Sequence, residues 1–346
     1  MTPPSPRRPV TAVTAVVASV VLLVGVVACR LVDPDGQSEA VPSTGTPFPA
    51  TASSPGPSTS ASTAADGLCH PPLPLAPAEL LDLARRTGST APVSLPASTP
   101  AAPALSLLSG AIVATSWDRD VAGSVYDFVQ LHQWAADTTI QDGRATSSIV
   151  LFQEQRWRAT DGSGRVASSR YPGTGQPPSG PDSSDVRYRP GELRAVIPAT
   201  DPANTAEPPP PIATEPAELA EQFNTHQPRL MGPQSVLRAY ADLAGWHTTT
   251  VQIRRAILTV LATTDGLRYH PSVIDRAGRT GVGVSVDSDH GDTRDLLILH
   301  PATGQILAYE HAVLGNRTQR TAAPRVENYI LYLAHTTTAS TETFPR

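Results

Sequence analysis

The stretch 273–314 constrains the fold of this 346-residue chain more than any other, because it has the pattern of an antiparallel meander. Val282, Val284 and Val286 alternate with small or polar residues, so a strand there has one apolar face and one polar face. Tight turns rich in Gly, Asp or Pro are predicted at 275–278, 287–292 and 300–304. Four strands joined by three short turns define their own order without help from the rest of the chain.

Two glycines and the three valines carry specific expectations. Gly278 and Gly304 stand at turn positions that favour positive φ, which glycine adopts without a steric penalty. The side chains of Val282, Val284 and Val286 are expected to point into the protein core.

Strands and helices occur in separate runs along the rest of the chain. Strands are predicted at 126–134, 149–158, 165–171, 267–274 and 329–333, with a strong hairpin signal at 161–164. Helices are predicted at 77–86, 104–117, 214–223, 236–243 and 248–265 from apolar periodicity and from Pro, Thr and Gly boundaries. This order predicts an α+β fold: a curved antiparallel sheet of about eight strands, with helices packed on one face.

The first 30 residues predict a membrane anchor. Arg7 and Arg8 precede an apolar run at 9–29, which is about the 20 residues that a helix needs to span a bilayer. The run ends in 26–29, Val-Val-Ala-Cys, which is similar to a bacterial lipobox and would make Cys29 a lipidation site. An uncleaved signal anchor and a cleaved lipoprotein signal both remain open. Under either alternative the protein is located at the cell membrane, with its folded part outside the cytoplasm.

Composition divides the remainder of the chain. Residues 31–67 are rich in Pro, Ser, Thr and Ala and cannot bury enough apolar surface to fold, so they predict a disordered tether. Residues 68–338 are expected to form a single extracytoplasmic domain, interrupted by a Pro-rich loop at 172–213, and 339–346 form a tail.

Net charge argues against a nucleic-acid partner. The formal net charge is −5 and the isoelectric point is near 6.0, and no Arg cluster larger than a pair is present. Proteins that bind nucleic acid usually carry a strongly basic patch. The membrane, reached through the N-terminal segment, is therefore the partner that the sequence supports most directly.

No motif predicts a catalytic residue, a metal site or a cofactor. The acidic run 287–292 has oxygen ligands at alternate positions, but it lacks the Glu of an EF-hand loop and is interpreted as a solvated turn. The nine His are scattered without a zinc-type spacing. Ser163 and Ser285 have glycine neighbours but do not lie in a nucleophile elbow.

The four tryptophans are the candidate ligand-binding residues. An apolar pocket lined by Trp117, Trp134, Trp157 and Trp246 is one interpretation. The alternative is that these side chains only pack in the core or at its rim, which is common for Trp.

Several short motifs together resemble a family of actinobacterial cell-envelope proteins. They are Trp157 with the Asp-Gly-Ser-Gly-Arg run at 161–165, the segments 197–202 and 216–219, the run Asp-Arg-Ala-Gly-Arg-Thr-Gly-Val-Gly-Val at 275–284, and the turn at 301–304. The resemblance covers roughly 120–315, and the run at 275–284 is its most specific part. It implies a membrane-anchored envelope protein and supplies no activity or catalytic residues. The sheet-with-helices pattern is also similar, at the level of fold alone, to lipoprotein-carrier-like domains that bind acyl chains.

These observations lead to one functional hypothesis and two alternatives. The first is a membrane-tethered binding or sensory domain without enzymatic activity, whose partner is an apolar ligand or an envelope protein. The alternatives are an envelope hydrolase with a site assembled from distant residues, and a structural module without a small-molecule site. A deep apolar cavity without converging polar groups favours binding, whereas a polar cleft with a His beside a carboxylate or a Ser favours an enzyme.

Overall fold

An antiparallel sheet of ten strands and four helices form the part of the protein that the computed structural model describes, which confirms the α+β class. The described residues are 91–114, 123–141, 144–171, 182–190, 210–315 and 324–342. The strands are β1 (Thr99–Pro100), β2 (Tyr126–Gln141), β3 (Arg144–Ala159), β4 (Gly164–Tyr171), β5 (Asp182–Tyr188), β6 (Arg268–Ile274), β7 (Thr280–Ser288), β8 (Thr293–Leu299), β9 (Ile306–Val313) and β10 (Arg325–Thr338). The helices are α1 (Ala101–Ala111), α2 (Pro216–His226), α3 (Gln234–Ala244) and α4 (Val251–Ala262).

Two meanders join edge to edge to make the sheet, whose strand order is β1-β6-β7-β8-β9-β10-β2-β3-β4-β5. The junction is the antiparallel pair of β10 with β2, in which Tyr329 lies opposite Trp134. Two strands were not predicted. Short β1 pairs with the edge of β6, and β5 pairs with β4 inside the segment 172–213 that was expected to be loop. The polar sequence of β5 lacks apolar alternation, so only its pairing with β4 makes it a strand.

The central meander is confirmed as predicted. Val282, Val284 and Val286 are buried in the main core cluster, and Gly278 and Gly304 have φ of 84° and 68°. The side chains of β7, β8 and β9 therefore alternate between the two faces of the sheet as their sequence pattern indicates.

The helices pack on one face of the sheet. Helix α3 lies against β7, β8 and β9, and α1, α2 and α4 pack against α3 or against one another. The Tyr332 hydroxyl donates a 2.6 Å hydrogen bond to the carbonyl of Ala241 in α3. Arg238 in α3 donates two hydrogen bonds, of 2.9 and 3.0 Å, to the buried carboxylate of Asp295 in β8. We call this side of the sheet the helix face and the opposite side the distal face.

Helix boundaries follow local capping rules only in part. Thr250 caps α4 by accepting a hydrogen bond from the backbone N–H of Ile253, so the helix begins at 251 and not at 248. Helix α2 begins at Pro216 after Glu215, two residues later than the predicted start at 214. The predicted helix at 104–117 is observed at Ala101–Ala111.

The predicted anchor, tether and first helix lie outside the described residues, as do Cys29 and Trp117. No described helix is long and apolar enough to cross a membrane.

Candidate functional site

A row of side chains along β2 lines the distal face. Tyr332 bonds to α3 on the helix face, and Leu131 lies opposite Tyr332 in the β10–β2 register, so Leu131 also faces the helices. Successive side chains of a strand point to opposite faces, so the even-numbered residues of β2 point to the distal face. They include Phe128, Gln130, His132 and Trp134, and each of these is at most 1% exposed.

Three of these side chains are buried with unsatisfied polar atoms. Among the residues that the structure describes, the Nε2 atom of Gln130, both ring nitrogens of His132 and the Nε1 atom of Trp134 have no hydrogen-bond partner. Leaving such a group unsatisfied costs about 1–3 kcal/mol. Burial lowers the pKa of His132 to about 4, so its ring is neutral at pH 7. The row therefore presents hydrogen-bond donors, and one imidazole acceptor, to a partner that the described residues do not supply.

One end of the row is bordered by an arginine that belongs to the β6–β7 turn. The Arg276 guanidinium is 3.1 Å from the Glu310 carboxylate, and both side chains are buried. It lies 4.6 Å from the ring centroid of Tyr329 and 5.8 Å from that of Trp134. Burial raises the pKa of Glu310, and the adjacent Arg276 opposes that shift. The positive charge is thus held over two aromatic rings at the Trp134 end of the row.

The segment 91–98 crosses the distal face at the same end, and we call it the strap. Its residue Val93 donates a backbone hydrogen bond of 2.9 Å to Glu310, and Arg276 donates one of 2.5 Å to the carbonyl of Ala91. Farther along, His270 Nδ1 lies 2.9 Å from the carbonyl of Pro96. The strap then joins the sheet edge as β1.

The other end of the row has a second pairing of Arg with Trp. The Arg165 guanidinium lies 4.9 Å from the ring centroid of Trp157. It donates to the carbonyl of Thr341 at 2.6 Å, and it pairs with Asp185 at 2.5 Å and with Glu342 at 3.3 Å. These contacts hold the C-terminal residues over β4 and β5, so they border the row at its Trp157 end.

Between the two borders lies a strip of β10, β2 and β3 that we call the distal trough. Its floor consists of Phe128, Gln130, His132, Trp134, Gln153, Gln155 and Leu331. Six residues of β2 separate its ends, which corresponds to about 20 Å, and three adjacent strands make it about 10–15 Å wide. Leu331 and Phe128 are fully buried, whereas Gln153 and Gln155 are half-buried. The trough is therefore apolar on β10 at Leu331 and at its Phe128 end, and it is lined by amides on β3.

The structure separates the tryptophans that the sequence grouped into one pocket. Trp134 and Trp157 both face the trough, at its two ends. Trp246 lies on the helix face, where it packs with Val166 and Tyr188. A pocket shared by these three tryptophans is not formed. Gln130 and His132 were not predicted as site residues, although their alternate spacing with Trp134 in the sequence places all three on one face of a strand.

Three Asp–His pairs lie on the helix face. Asp127 and His247 are 3.3 Å apart, Asp242 and His226 are 2.9 Å apart, and Asp295 and His311 are 3.4 Å apart. Each carboxylate has a further donor: Thr248, Gln227 and Arg238, respectively. The Thr248 hydroxyl donates to the carboxylate and not to His247, so this group does not form a nucleophile–base pair. Asp127–His247 joins β2 to the connection between α3 and α4, and Asp242–His226 joins α3 to the end of α2. Asp295–His311 lies within the sheet, where Arg238 joins it to α3.

One serine does contact a histidine. Ser285 Oγ is 2.9 Å from His270 Nε2, and His270 Nδ1 faces the Pro96 carbonyl. Burial lowers the pKa of His270, which favours a neutral ring that donates to Pro96 and accepts from Ser285. A serine, a base and a group that orients the base are the elements of an activated nucleophile. Both side chains, however, are buried beneath the strap.

Within the described ranges, no group of three His, Cys, Asp or Glu side chains is placed to hold a metal ion. Comparison with known proteins gives no match to any family model, curated protein or solved structure. The resemblances to actinobacterial envelope proteins and to lipoprotein-carrier-like domains therefore stay predictions.

Proposed function

We propose that this protein is a membrane-tethered binding protein of the cell envelope without enzymatic activity, and that the distal trough is its ligand site. The ligand class is amphipathic: an apolar chain that carries a hydrogen-bond acceptor such as a carboxyl or ester group. The observation that carries the proposal is the row of Gln130, His132 and Trp134, whose buried polar atoms lack partners among the described residues.

The floor of the trough offers such a molecule both an apolar surface and hydrogen-bond donors. An acyl chain lying along Leu331 and Phe128 is stabilised by about 25 cal/mol for each Å² of apolar surface removed from water. A carbonyl oxygen beside His132 would accept hydrogen bonds from donors that have no partner among the described residues. Because the His132 ring is neutral at pH 7, a charged head group is not required, and binding is expected to depend little on salt.

The predicted tether supports a membrane-derived ligand. A flexible linker spanning 31–67 has a root-mean-square length of roughly 35 Å, so it keeps the domain near the bilayer surface. Lipids and their hydrolysis products are the amphipathic molecules with the highest local concentration there.

Native mass spectrometry of the purified full-length protein, followed by titration with oleate and with its neutral ester monoolein, tests the proposal. Replacing His132 with Phe keeps an aromatic ring but removes the donor and acceptor, and we expect at least about tenfold weaker binding, equivalent to 1.4 kcal/mol. His335→Phe is the matched control, since His335 is equally buried but lies on the helix face. Absence of co-purifying lipid together with no binding of either probe would refute the proposal and favour the structural module.

A hydrolase is the second candidate, favoured by the contact of Ser285 with His270. A fluorophosphonate probe that labels Ser285 in the native protein, with loss of labelling in Ser285→Ala and in His270→Gln, would establish it. We expect no labelling, because the strap contacts His270 through the Pro96 carbonyl and so lies over the pair.

A further inference from the structure

We infer that this protein forms a two-fold symmetric dimer through the outer surface of its helices, with Leu230 of each copy seated in a cavity of the other. This surface lies on the helix side of the sheet, away from the distal trough, so the inference goes beyond the proposed function. It begins from the short turn Arg229–Met231 between α2 and α3. There Leu230 is 88% exposed and Met231 is 59% exposed.

Hydrogen bonds fix the backbone of this turn, so the two apolar side chains are held in the solvent by a rigid segment. The backbone N–H of Arg229 donates a 3.0 Å hydrogen bond to Asn224, and its guanidinium donates one of 3.0 Å to the carbonyl of Ala220. The Ser235 hydroxyl lies 2.9 Å from the carbonyl of Pro228. A rigid apolar group is pre-organised for a partner, because little conformational freedom is lost when it is buried.

A cavity of about 300 Å³ opens beside the turn. Ala220, Val236 and Val260 contribute apolar surface to its lining, and Arg229 and Asp265 contribute charges. Cavities of about 150 Å³ in other proteins hold a benzene ring, so this one has room for a leucine side chain.

One surface therefore carries both a protruding leucine and a cavity that accepts one. Arg229 lines the cavity and is adjacent to Leu230 in the chain, so the two features are close neighbours. A two-fold interface requires such a self-complementary surface, because each copy presents the same residues to the other. An axis that passes between Leu230 and the cavity places each Leu230 at the cavity of the other copy.

The charges at the cavity favour a second copy over a lipid bilayer. Arg229 is half exposed, and its nearest described carboxylate is Glu221 at 3.8 Å. Asp265 is exposed, and its carboxylate has no hydrogen bond or ion pair within the described part of the chain. The symmetric arrangement allows Arg229 of each copy to pair with Asp265 of the other. Anionic lipids would instead be repelled by the two carboxylates.

The size of the surface indicates a reversible dimer. Helix α4 lines the cavity with Val260 and contacts both α1 and α2, and α1 presents Leu107, which is 75% exposed. Three helices of about 10 by 17 Å offer roughly 500 Å² of outer surface. Stable interfaces bury about 800 Å² per partner, so we expect a dissociation constant in the micromolar range.

Sedimentation velocity of the full-length protein in detergent, across the micromolar range, tests the inference. We expect the parent to dimerise reversibly and Leu230→Asp to weaken the dimer at least about tenfold. Ile274→Asp is the matched control, since Ile274 is 60% exposed but lies on β6, outside this surface, and this variant should dimerise like the parent. A monomeric parent, or a Leu230→Asp variant that dimerises equally well, would overturn the inference.

Exchanging the charges tests the arrangement itself. Arg229→Asp and Asp265→Arg should each weaken the dimer, because each places like charges together across the interface. A mixture of the two variants should dimerise again, since the mixed dimer contains two pairs of opposite charge. Damage within one chain is not repaired by a second chain, so a mixture that stays monomeric would overturn the symmetric pairing.

Photo-crosslinking separates a second copy from a bilayer. Met231 is replaced with benzoylphenylalanine, and the protein is reconstituted with an isotope-labelled copy in vesicles of phosphatidylcholine and phosphatidylglycerol. We expect adducts with peptides of α2 or α4 of the labelled copy. Adducts with lipid in their place would overturn the inference in favour of a bilayer contact, and a lack of any adduct would overturn it as well.

Discussion

Arg279 bonds to the backbone at two irregularities of the sheet, and replacing it should severely destabilise the folded protein. Its guanidinium donates a 2.9 Å hydrogen bond to Asp275, and the two side chains are 5% and 0% exposed. It also donates to the carbonyls of Leu307 at 2.7 Å and Tyr332 at 3.3 Å. Leu307 is skipped by the β8–β9 register, and the β10–β2 register shifts directly after Tyr332. Arg279 therefore satisfies carbonyls at two β-bulges while it neutralises a buried carboxylate.

Arg279→Met keeps the length of the side chain but removes three hydrogen bonds and leaves Asp275 without its charge partner. Breaking a buried ion pair on one side costs about 3–5 kcal/mol, which is a large part of the stability of an ordinary domain. Asp275→Asn should cost less, because Asn still accepts the 3.0 Å backbone hydrogen bonds from Ala277 and Arg279, and the Arg279 guanidinium, although it loses its carboxylate, still donates to the carbonyls of Leu307 and Tyr332. The double variant should be less destabilised than the sum of the single ones, since the two groups form one network.

Urea denaturation at pH 7, with equal m-values for all variants, measures these differences. Arg294→Met is the matched control: Arg294 pairs with Asp287 at 2.6 Å, but at the surface, and its loss should cost less than about 1 kcal/mol. Burial raises the pKa of Asp275, and losing Arg279 should raise it further. The difference in unfolding free energy between the parent and Arg279→Met should therefore become smaller as the pH falls and the carboxyl is protonated. An Arg279→Met protein as stable as Arg294→Met would refute this account.

Three further predictions concern His132, Val284 and Asp289. The pKa of His132 is about 4 in the folded protein against an ordinary 6.5, so the unfolded chain binds more protons between these values, and stability should fall as the pH drops through that window. His132→Phe should flatten the pH profile of the unfolding free energy, by up to about 1.4 kcal/mol per pH unit. Val284→Ala should cost about 1–3 kcal/mol, and Val284→Asp more, because Val284 is fully buried; thermal unfolding of both variants checks this order. Asp289→Asn should change stability by less than about 0.5 kcal/mol, since Asn tolerates the positive φ of this residue, and calcium should leave the melting temperature of both proteins unchanged.

Features of local origin could be predicted from the sequence. The turn at Gly278 and the alternation of Val282, Val284 and Val286 depend on residues within a few positions of one another, and both are confirmed. The hairpin that joins β3 to β4 and the helices α3 and α4 have the same kind of signal: turn chemistry, periodicity and capping. For these elements the backbone preference and the side-chain pattern agree, so the sequence alone was sufficient.

Features that depend on distant parts of the chain were decided only by the tertiary structure. Nothing local indicates that β10 pairs with β2, nearly two hundred residues away in sequence, or that the polar strand β5 extends β4. The same pairing decides which way each side chain of β2 points, and so it separates Trp246 from Trp134 and places His132 in the trough. Burial and hydrogen bonding are properties of the packed neighbours and not of the residue itself. For this reason the sequence by itself determined the kind of fold and its turns, whereas the pairing of the two meanders determined the candidate site.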